Sequence, residues 1–190
     1  MPAAKQPNWD TWFQHNVDFA TRCVFLGGEE IDDQAAAQAI KLLHALDATD
    51  GPIGVKLTTY GGDWYYGMAI YDAIRGCRNE VMVLAYGPLQ SMGAIIFQAA
   101  DVRAMMPFAT MMVHYGDEHM SGHALNTARR AQENGRLRAQ FEQLMLERIN
   151  QKRKMSVKQF RDRFAFDVFL DAHAAVDMGL ADLVWGEGAV

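Results

Sequence analysis

Ser91 lies where a serine hydroxyl can act as a nucleophile. It follows a valine-rich segment that predicts a strand and precedes an apolar segment that predicts a helix, so its hydroxyl is expected on the first helical turn. First-turn amides lack internal partners and carry partial positive charge, so they can bind the oxyanion formed when such a hydroxyl attacks a carbonyl. The pattern predicts acyl transfer at Ser91. The alternative is that Ser91 serves only as a helix N-cap, because serine is common there.

A serine nucleophile needs a general base and an acid that orients the base. His114 ends the strand-like segment Met111-Met112-Val113, where the end of a neighbouring strand would bring it near Ser91. Asp167 stands among aromatic residues, and a carboxylate buried in such surroundings needs a partner. We therefore predict His114 as the base and Asp167 as the acid. The remaining histidines and three other aspartates are interpreted as surface or capping residues: His15, His44, His119, His123, His173, Asp162, Asp171 and Asp177.

Gly61 and Gly62 follow a predicted strand and precede a predicted helix. Glycine at such a turn lets the backbone approach a ligand and point an amide inward, although a tight turn alone also explains the pair. No Gly-Lys-Ser or Gly-Lys-Thr follows, so the turn is not a phosphate-binding loop.

Composition limits the class of protein. With 190 residues and 50% hydrophobic content, we predict one domain over residues 1–190. A net charge of −5 and the absence of a basic stripe argue against a nucleic-acid partner. Cys23 and Cys77 belong to no paired motif, so neither a disulfide nor a cysteine metal site is expected. No segment resembles a signal peptide or membrane span, and we expect a soluble, cytoplasmic protein.

The order of predicted elements indicates an α/β fold. Strand-like segments at 23–26, 53–59, 81–85 and 110–114 alternate with helix-like segments at 33–48, 64–75 and 92–100, as in a largely parallel sheet. In the helix at 33–48 we expect Asp32 or Asp33 as cap and one apolar face: Ala36, Ala39, Ile40, Leu43 and Leu46. Residues 122–152 predict a long helix that either projects towards other subunits or covers the sheet with a kink near Gly135. Short helices are predicted after a capping box at Ser156 and after Asp171, the latter ending at Gly179.

Several segments together resemble the proteolytic subunit of the Clp protease, in the crotonase-like superfamily. The resemblance runs from about Arg22 to Val184, and its motifs occur in the family's order. They are Val24-Phe25-Leu26-Gly27 with Ile31-Asp32-Asp33, Gly61-Gly62 with Gly67-Met68-Ala69-Ile70-Tyr71-Asp72, Ser91-Met92-Gly93-Ala94, Met112-Val113-His114, Asp167-Val168-Phe169-Leu170 and 175–182.

The resemblance implies a function and a mechanism. Ser91 would be the nucleophile, His114 the base and Asp167 the orienting acid of a serine endopeptidase, with the backbone amides of Gly62 and Met92 as the oxyanion hole. It implies a spiral of ββα units with a protruding handle in the region of about 115–155, and a short N-terminal segment at 1–9. It also implies a heptameric ring, possibly stacked as a tetradecamer, that receives polypeptide substrates from an AAA+ unfoldase. No cofactor or metal is required.

The chain departs from the family pattern outside the triad. Tyr60 and Val168 stand where the family usually has proline and arginine, the segment after His114 lacks the usual proline, and Gly54 and Lys56 occupy positions that are usually aromatic. These departures leave open a non-catalytic or regulatory ring subunit. A crotonase-type acyl-CoA enzyme is a second alternative, because that superfamily also binds an oxyanion with paired amides at this kind of turn.

Overall fold

A computed structural model describes residues 9–28, 30–116 and 123–187. Most of the predicted N-terminal segment at 1–9 lies outside these ranges. The strands within them are β1 (Val17–Asp18), β2 (Cys23–Gly27), β3 (Ile53–Thr59), β4 (Val81–Gln90), β5 (Val102–Met105), β6 (Thr110–Val113), β7 (Val168–Asp171) and β8 (Leu183–Val184). The helices are α1 (Trp9–His15), α2 (Asp33–Asp47), α3 (Trp64–Arg75), α4 (Met92–Phe97), α5 (Ala124–Lys152), α6 (Val157–Arg163) and α7 (Ala172–Met178).

The sheet is mostly parallel, as the alternation of elements predicts. Strands β2, β3, β4, β5 and β8 pair side by side in parallel, while β1 and β7 are antiparallel additions to β2 and β6. Buried residues alternate with half-buried ones along β3, as expected for a strand with one face on the core. The buried apolar residues of the sheet and helices form one continuous cluster.

Strand β4 joins two parts of the sheet. Its first half pairs with β3 and β5. In its last residues, Pro88–Gln90 pair with β6, and Leu89 also pairs with Thr59 of β3 after a register shift. The predicted strand ends at residue 85, shortly before Gly87 and Pro88, two residue types that are uncommon inside central strands. The observed strand continues to Gln90 because β6 on one side and Thr59 of β3 on the other supply further partners.

Helix α2 begins where the sequence predicts. The Asp32 carboxylate accepts a hydrogen bond from the Ala35 amide at 2.8 Å, so Asp32 is the cap. Four of the five residues on the predicted apolar face are buried, but Ile40 is 40% exposed. Ile40 is exposed because it lies at the edge of the stripe formed by the four buried residues.

Helix α5 runs for 29 residues and passes Gly135 without interruption. Its buried residues all lie in its second half: Phe141, Glu142, Met145, Leu146 and Ile149. Residues 124–140 include no buried side chain. The second half therefore covers the core, while the first half projects away from it. The second half covers the core as one prediction has it, without the predicted kink near Gly135, and contacts of the first half with other subunits stay a prediction.

The predicted helix ends near the C-terminus are confirmed. Ser156 and Gln159 form a reciprocal capping box at the start of α6. The Asp171 carboxylate caps α7, and Gly179 ends α7 in the left-handed conformation with φ of 84°. Cys23 and Cys77 are free thiols, and burial raises the pKa of both. Within the described residues, no helix is both long and apolar enough to cross a membrane.

Candidate active site

The strand register brings Ser91 and His114 together. Gln90 of β4 pairs with Met112 of β6, so Ser91 and His114 leave the sheet at the same edge. The Ser91 amide donates a hydrogen bond to the Met112 carbonyl at 2.9 Å, and the His114 Nε2 atom lies 2.8 Å from Ser91 Oγ. Ser91 occupies the N-cap position of α4, but its side chain makes no capping hydrogen bond. Its hydroxyl contacts the imidazole instead.

A second register brings Asp167 to the other side of the imidazole. Strand β7 is antiparallel to β6 with Val113 opposite Val168, so Asp167 lies opposite His114. The Nδ1 atom of His114 is 3.3 Å from Asp167 Oδ1. A neutral imidazole that donates from Nδ1 to this carboxylate has Nε2 free to accept the serine proton. The three predicted residues therefore form one continuous contact chain.

The predicted burial of Asp167 is wrong. Its side chain is 58% exposed, and Phe166, directly before it, is 86% exposed. The aromatic residue of this segment that enters the core is Phe164. Because β7 pairs only with β6 among the described strands, its segment lies at an edge of the sheet, and neighbouring aromatic residues do not enclose the carboxylate.

The Gly61-Gly62 turn lies against Ser91. Both glycines have positive φ, 116° and 151°. A Cβ atom at Gly61 would lie 2.7 Å from Ser91 Cβ, and one at Gly62 would overlap the backbone of Ile31. Side chains are therefore excluded at both positions by close approach as well as by conformation.

The hydrogen bonds around this turn do not use the Gly62 amide. Ile31 N–H donates to the Gly61 carbonyl at 2.8 Å, and Asp63 N–H donates to the Ile31 carbonyl at 2.9 Å. Met92 is the first residue of α4, where amides have no partner within the helix. Among the described residues, neither the Gly62 nor the Met92 amide has a hydrogen-bond acceptor. Both residues line the same cleft as Ser91 and His114.

The cleft has a volume of about 520 Å³, and α5 forms one of its walls. The contributing residues are Asn134, Leu137, Arg138 and Phe141. The sequence analysis did not predict their role. These four residues are separated by three, one and three positions, a spacing that places them on one face of a helix. This spacing is the sequence feature from which a shared role could have been predicted. Trp64 and Ile95 add apolar surface, so the cleft wall combines apolar and polar groups.

The other titratable residues named from the sequence lie elsewhere. His123 caps α5, His173 pairs with Glu187, Asp162 pairs with Lys158 and Asp171 caps α7. His15, His44 and Asp177 are exposed, and His119 lies outside the described residues. In the described part of the chain, no cluster of three or more His, Cys, Asp or Glu side chains is arranged to hold a metal ion.

Comparison with known proteins identifies the class to which this fold and cleft belong. A family model described as Clp protease matches residues 9–188. The chain therefore belongs to the Clp protease family, a family of peptidases, as the sequence motifs indicated. Its mixed α/β fold is consistent with that family.

The chain is similar to plant and algal relatives over nearly its whole length. It is 31% identical over 188 residues to the ATP-dependent Clp protease proteolytic subunit of Chlorella vulgaris, covering 97% of this chain and 90% of the relative. It is 29% identical over 189 residues to the ATP-dependent Clp protease proteolytic subunit 3, chloroplastic, of Arabidopsis thaliana, covering 97% of this chain and 60% of the relative. Both relatives are named as proteolytic subunits, which favours a peptidase over the two alternatives. The cytoplasmic location stays a prediction.

Proposed function

We propose that this chain is a serine endopeptidase that hydrolyses peptide bonds through Ser91, His114 and Asp167. The observation that carries the proposal is the contact chain from Ser91 Oγ to His114 Nε2 at 2.8 Å and from His114 Nδ1 to Asp167 Oδ1 at 3.3 Å. Membership of a peptidase family supports the same reaction class.

In the first half of the reaction, Ser91 Oγ attacks the scissile carbonyl carbon while His114 Nε2 takes the hydroxyl proton. Asp167 holds the imidazole in the tautomer that leaves Nε2 free to accept it. The carbonyl oxygen becomes an oxyanion, and the free amides of Gly62 and Met92 stabilise it by hydrogen bonding. His114 then donates the proton to the leaving amine as the peptide C–N bond breaks.

In the second half, water hydrolyses the acyl-enzyme. His114 removes a proton from water, the resulting hydroxide attacks the ester carbonyl, and the same two amides bind the second oxyanion. The proton returns to Ser91 Oγ as the ester bond breaks. These steps use only groups of the chain, the substrate and water, so the proposal includes no cofactor or metal.

We further propose that the active unit is an oligomeric ring. The support is family membership and the first half of α5, which extends from the core with no buried side chain. A heptameric ring, possibly stacked in pairs, and delivery of unfolded polypeptides by an AAA+ unfoldase are part of this proposal. Analytical ultracentrifugation of the full chain tests the ring, and a seven-subunit mass is the expected result.

The mechanism is tested with Ser91→Ala and a matched control, Ser156→Ala, which removes an exposed capping hydroxyl on α6. Wild type and Ser156→Ala should react with a fluorophosphonate probe and cleave a fluorogenic peptide. Ser91→Ala should not be labelled, and its kcat should fall by a factor on the order of 10⁶. An assembled wild-type protein that is neither labelled nor active would favour the non-catalytic alternative, and retained activity in Ser91→Ala would overturn the mechanism.

A further inference from the structure

A buried carboxylate beside the cleft has no part in the mechanism above. Glu142 lies on the second half of α5, and its side chain is 8% exposed. It accepts a hydrogen bond from the Tyr115 hydroxyl at 2.9 Å and two from Arg161, through Nε at 2.8 Å and Nη2 at 2.9 Å. Burying a carboxylate is costly unless it is paired and hydrogen-bonded, and these three bonds meet that requirement.

The two donors to Glu142 belong to the two segments that carry the base and the acid. Tyr115 directly follows His114 in the chain. Arg161 lies on α6, and the chain passes from the end of this helix at Arg163 to Asp167 within four residues. Through these hydrogen bonds, Glu142 of α5 holds both the segment that carries His114 and the segment that leads to Asp167.

Aromatic packing fixes the Tyr115 ring so that its hydroxyl reaches Glu142. The ring meets Phe141 edge to face at a centroid distance of 5.2 Å and Phe160 at 6.3 Å. Phe160 is fully buried and packs on Phe164, which precedes Asp167 by three residues. Burial and the hydrogen bond to Glu142 raise the pKa of Tyr115 to about 12, so its hydroxyl remains a donor at neutral pH. The hydrogen bond from Arg161 lowers the pKa of Glu142, so this group remains a charged acceptor.

We propose that Glu142, with Tyr115 and Arg161, is a positioning network that holds the His114–Asp167 contact. The inference rests on the proposed serine mechanism. Asp167 is more than half exposed, so burial does not fix its carboxylate. The Nδ1–Oδ1 distance of 3.3 Å is slightly longer than a normal N–H···O hydrogen bond, so the contact is sensitive to a small shift of either segment.

The test begins with Tyr115→Phe, which keeps the ring and removes the hydroxyl. Its control is Tyr71→Phe, which removes a half-buried phenol hydroxyl from α3. We expect Tyr115→Phe to lower kcat and the rate of fluorophosphonate labelling about tenfold, within the loss that a misplacement of about 1 Å can cause. KM should change no more than in the control. The thermal unfolding temperature should fall, because the buried Glu142 loses one of its three donors, so kcat is measured well below the unfolding transition of the variant.

Arg161→Gln provides a second route to the same effect from outside the cleft. Its control is Lys158→Gln, which breaks the exposed ion pair with Asp162 on the same helix, α6. Arg161→Gln should lower kcat and Lys158→Gln should not. A short peptide and the small probe are used in both cases, so that changes in substrate binding appear separately in KM.

A double-mutant cycle distinguishes positioning from a general structural effect. If Tyr115 acts through the His114–Asp167 contact, Tyr115→Phe should have little further effect in an Asp167→Asn background. If Tyr115→Phe lowers kcat by the same factor in the Asp167→Asn background as in the wild type, the proposal is overturned. Equal kcat values for Tyr115→Phe and Tyr71→Phe would also overturn it, provided that the wild-type protein is active. An unreactive wild type would instead overturn the serine mechanism itself, and this inference with it.

Discussion

Gly67 of α3 and Met92 of α4 pack in direct contact where the two helices meet. A Cβ atom at Gly67 would overlap Cγ, Sδ and Cε of the Met92 side chain. Met92 also supplies one of the two amides proposed to bind the oxyanion. The contact therefore links the packing of two helices to the position of a group that the reaction needs.

Replacing Gly67 by alanine should weaken both folding and activity. Overpacking of this kind typically costs about 1–3 kcal/mol of unfolding free energy. Gly135→Ala is the matched control, because a Cβ there meets no atom within 4 Å and alanine favours the helix by about 0.5–1 kcal/mol. Urea unfolding and probe labelling measure the two effects. Equal stability of the two variants would contradict the packing argument.

The exposed position of Asp167 sets the expected size of the Asp167→Asn effect. Loss of the correct imidazole tautomer can lower kcat by about 10⁴ when the acid is buried. Here water can reach the imidazole in place of the carboxylate. We therefore expect kcat to fall by about 100-fold, at the lower end of the range for general acid–base catalysis. Peptide turnover measures it, with Asp177→Asn on α7 as an exposed control. An unchanged kcat would show that Asp167 does not orient His114.

Asp47 gives stability a pH dependence with a defined sign. Hydrogen bonds from the backbone amides of Asn79 and Arg78 lower the pKa of Asp47 from 3.8 to about 2. A depressed folded-state pKa means that the charged carboxylate stabilises the fold above pH 3.8 and that this contribution is lost as the pH falls towards 2. The difference in unfolding temperature between wild type and Asp47→Asn should therefore narrow from pH 4 to pH 2. A constant difference would contradict this assignment.

Asp182 neutralises a buried arginine, and its loss should be costly. The Arg103 side chain is 4% exposed and donates through Nε to Asp182 Oδ2 at 3.1 Å and through Nη2 to Oδ1. Asp182→Ala leaves this charge without its carboxylate and should lower the unfolding free energy by about 3 kcal/mol. Asp162→Ala breaks the exposed pair with Lys158 and should cost less than about 1 kcal/mol. Urea unfolding of both variants tests the difference.

Local patterns predicted the elements and caps well because their causes are local. Asp32, Ser156 and Asp171 cap helices through hydrogen bonds to residues three positions ahead, and Gly179 ends a helix through its own backbone conformation. Ser91 and His114 were identified from their positions at strand ends, and parallel pairing of β4 with β6 brings such ends together.

Features that depend on distant contacts were not predicted. The aromatic residues around Asp167 suggested burial, but only the path of the sheet edge decides which of them enter the core. The extension of β4 through Pro88 depends on β6, which lies some twenty residues further along the chain. The Glu142 network joins three segments, and no spacing within any one of them indicates the other two.

The backbone of Ser91 has φ of 50° and ψ of −118°, a combination that is unfavourable for any residue with a side chain. Such a conformation costs on the order of 1–3 kcal/mol, and glycine would adopt it with little cost. Ser91→Gly should therefore fold more stably than the wild type while losing the reactive hydroxyl. At this position the backbone strain that holds the hydroxyl in place lowers the stability of the fold, so the variant without the hydroxyl is expected to be the more stable one.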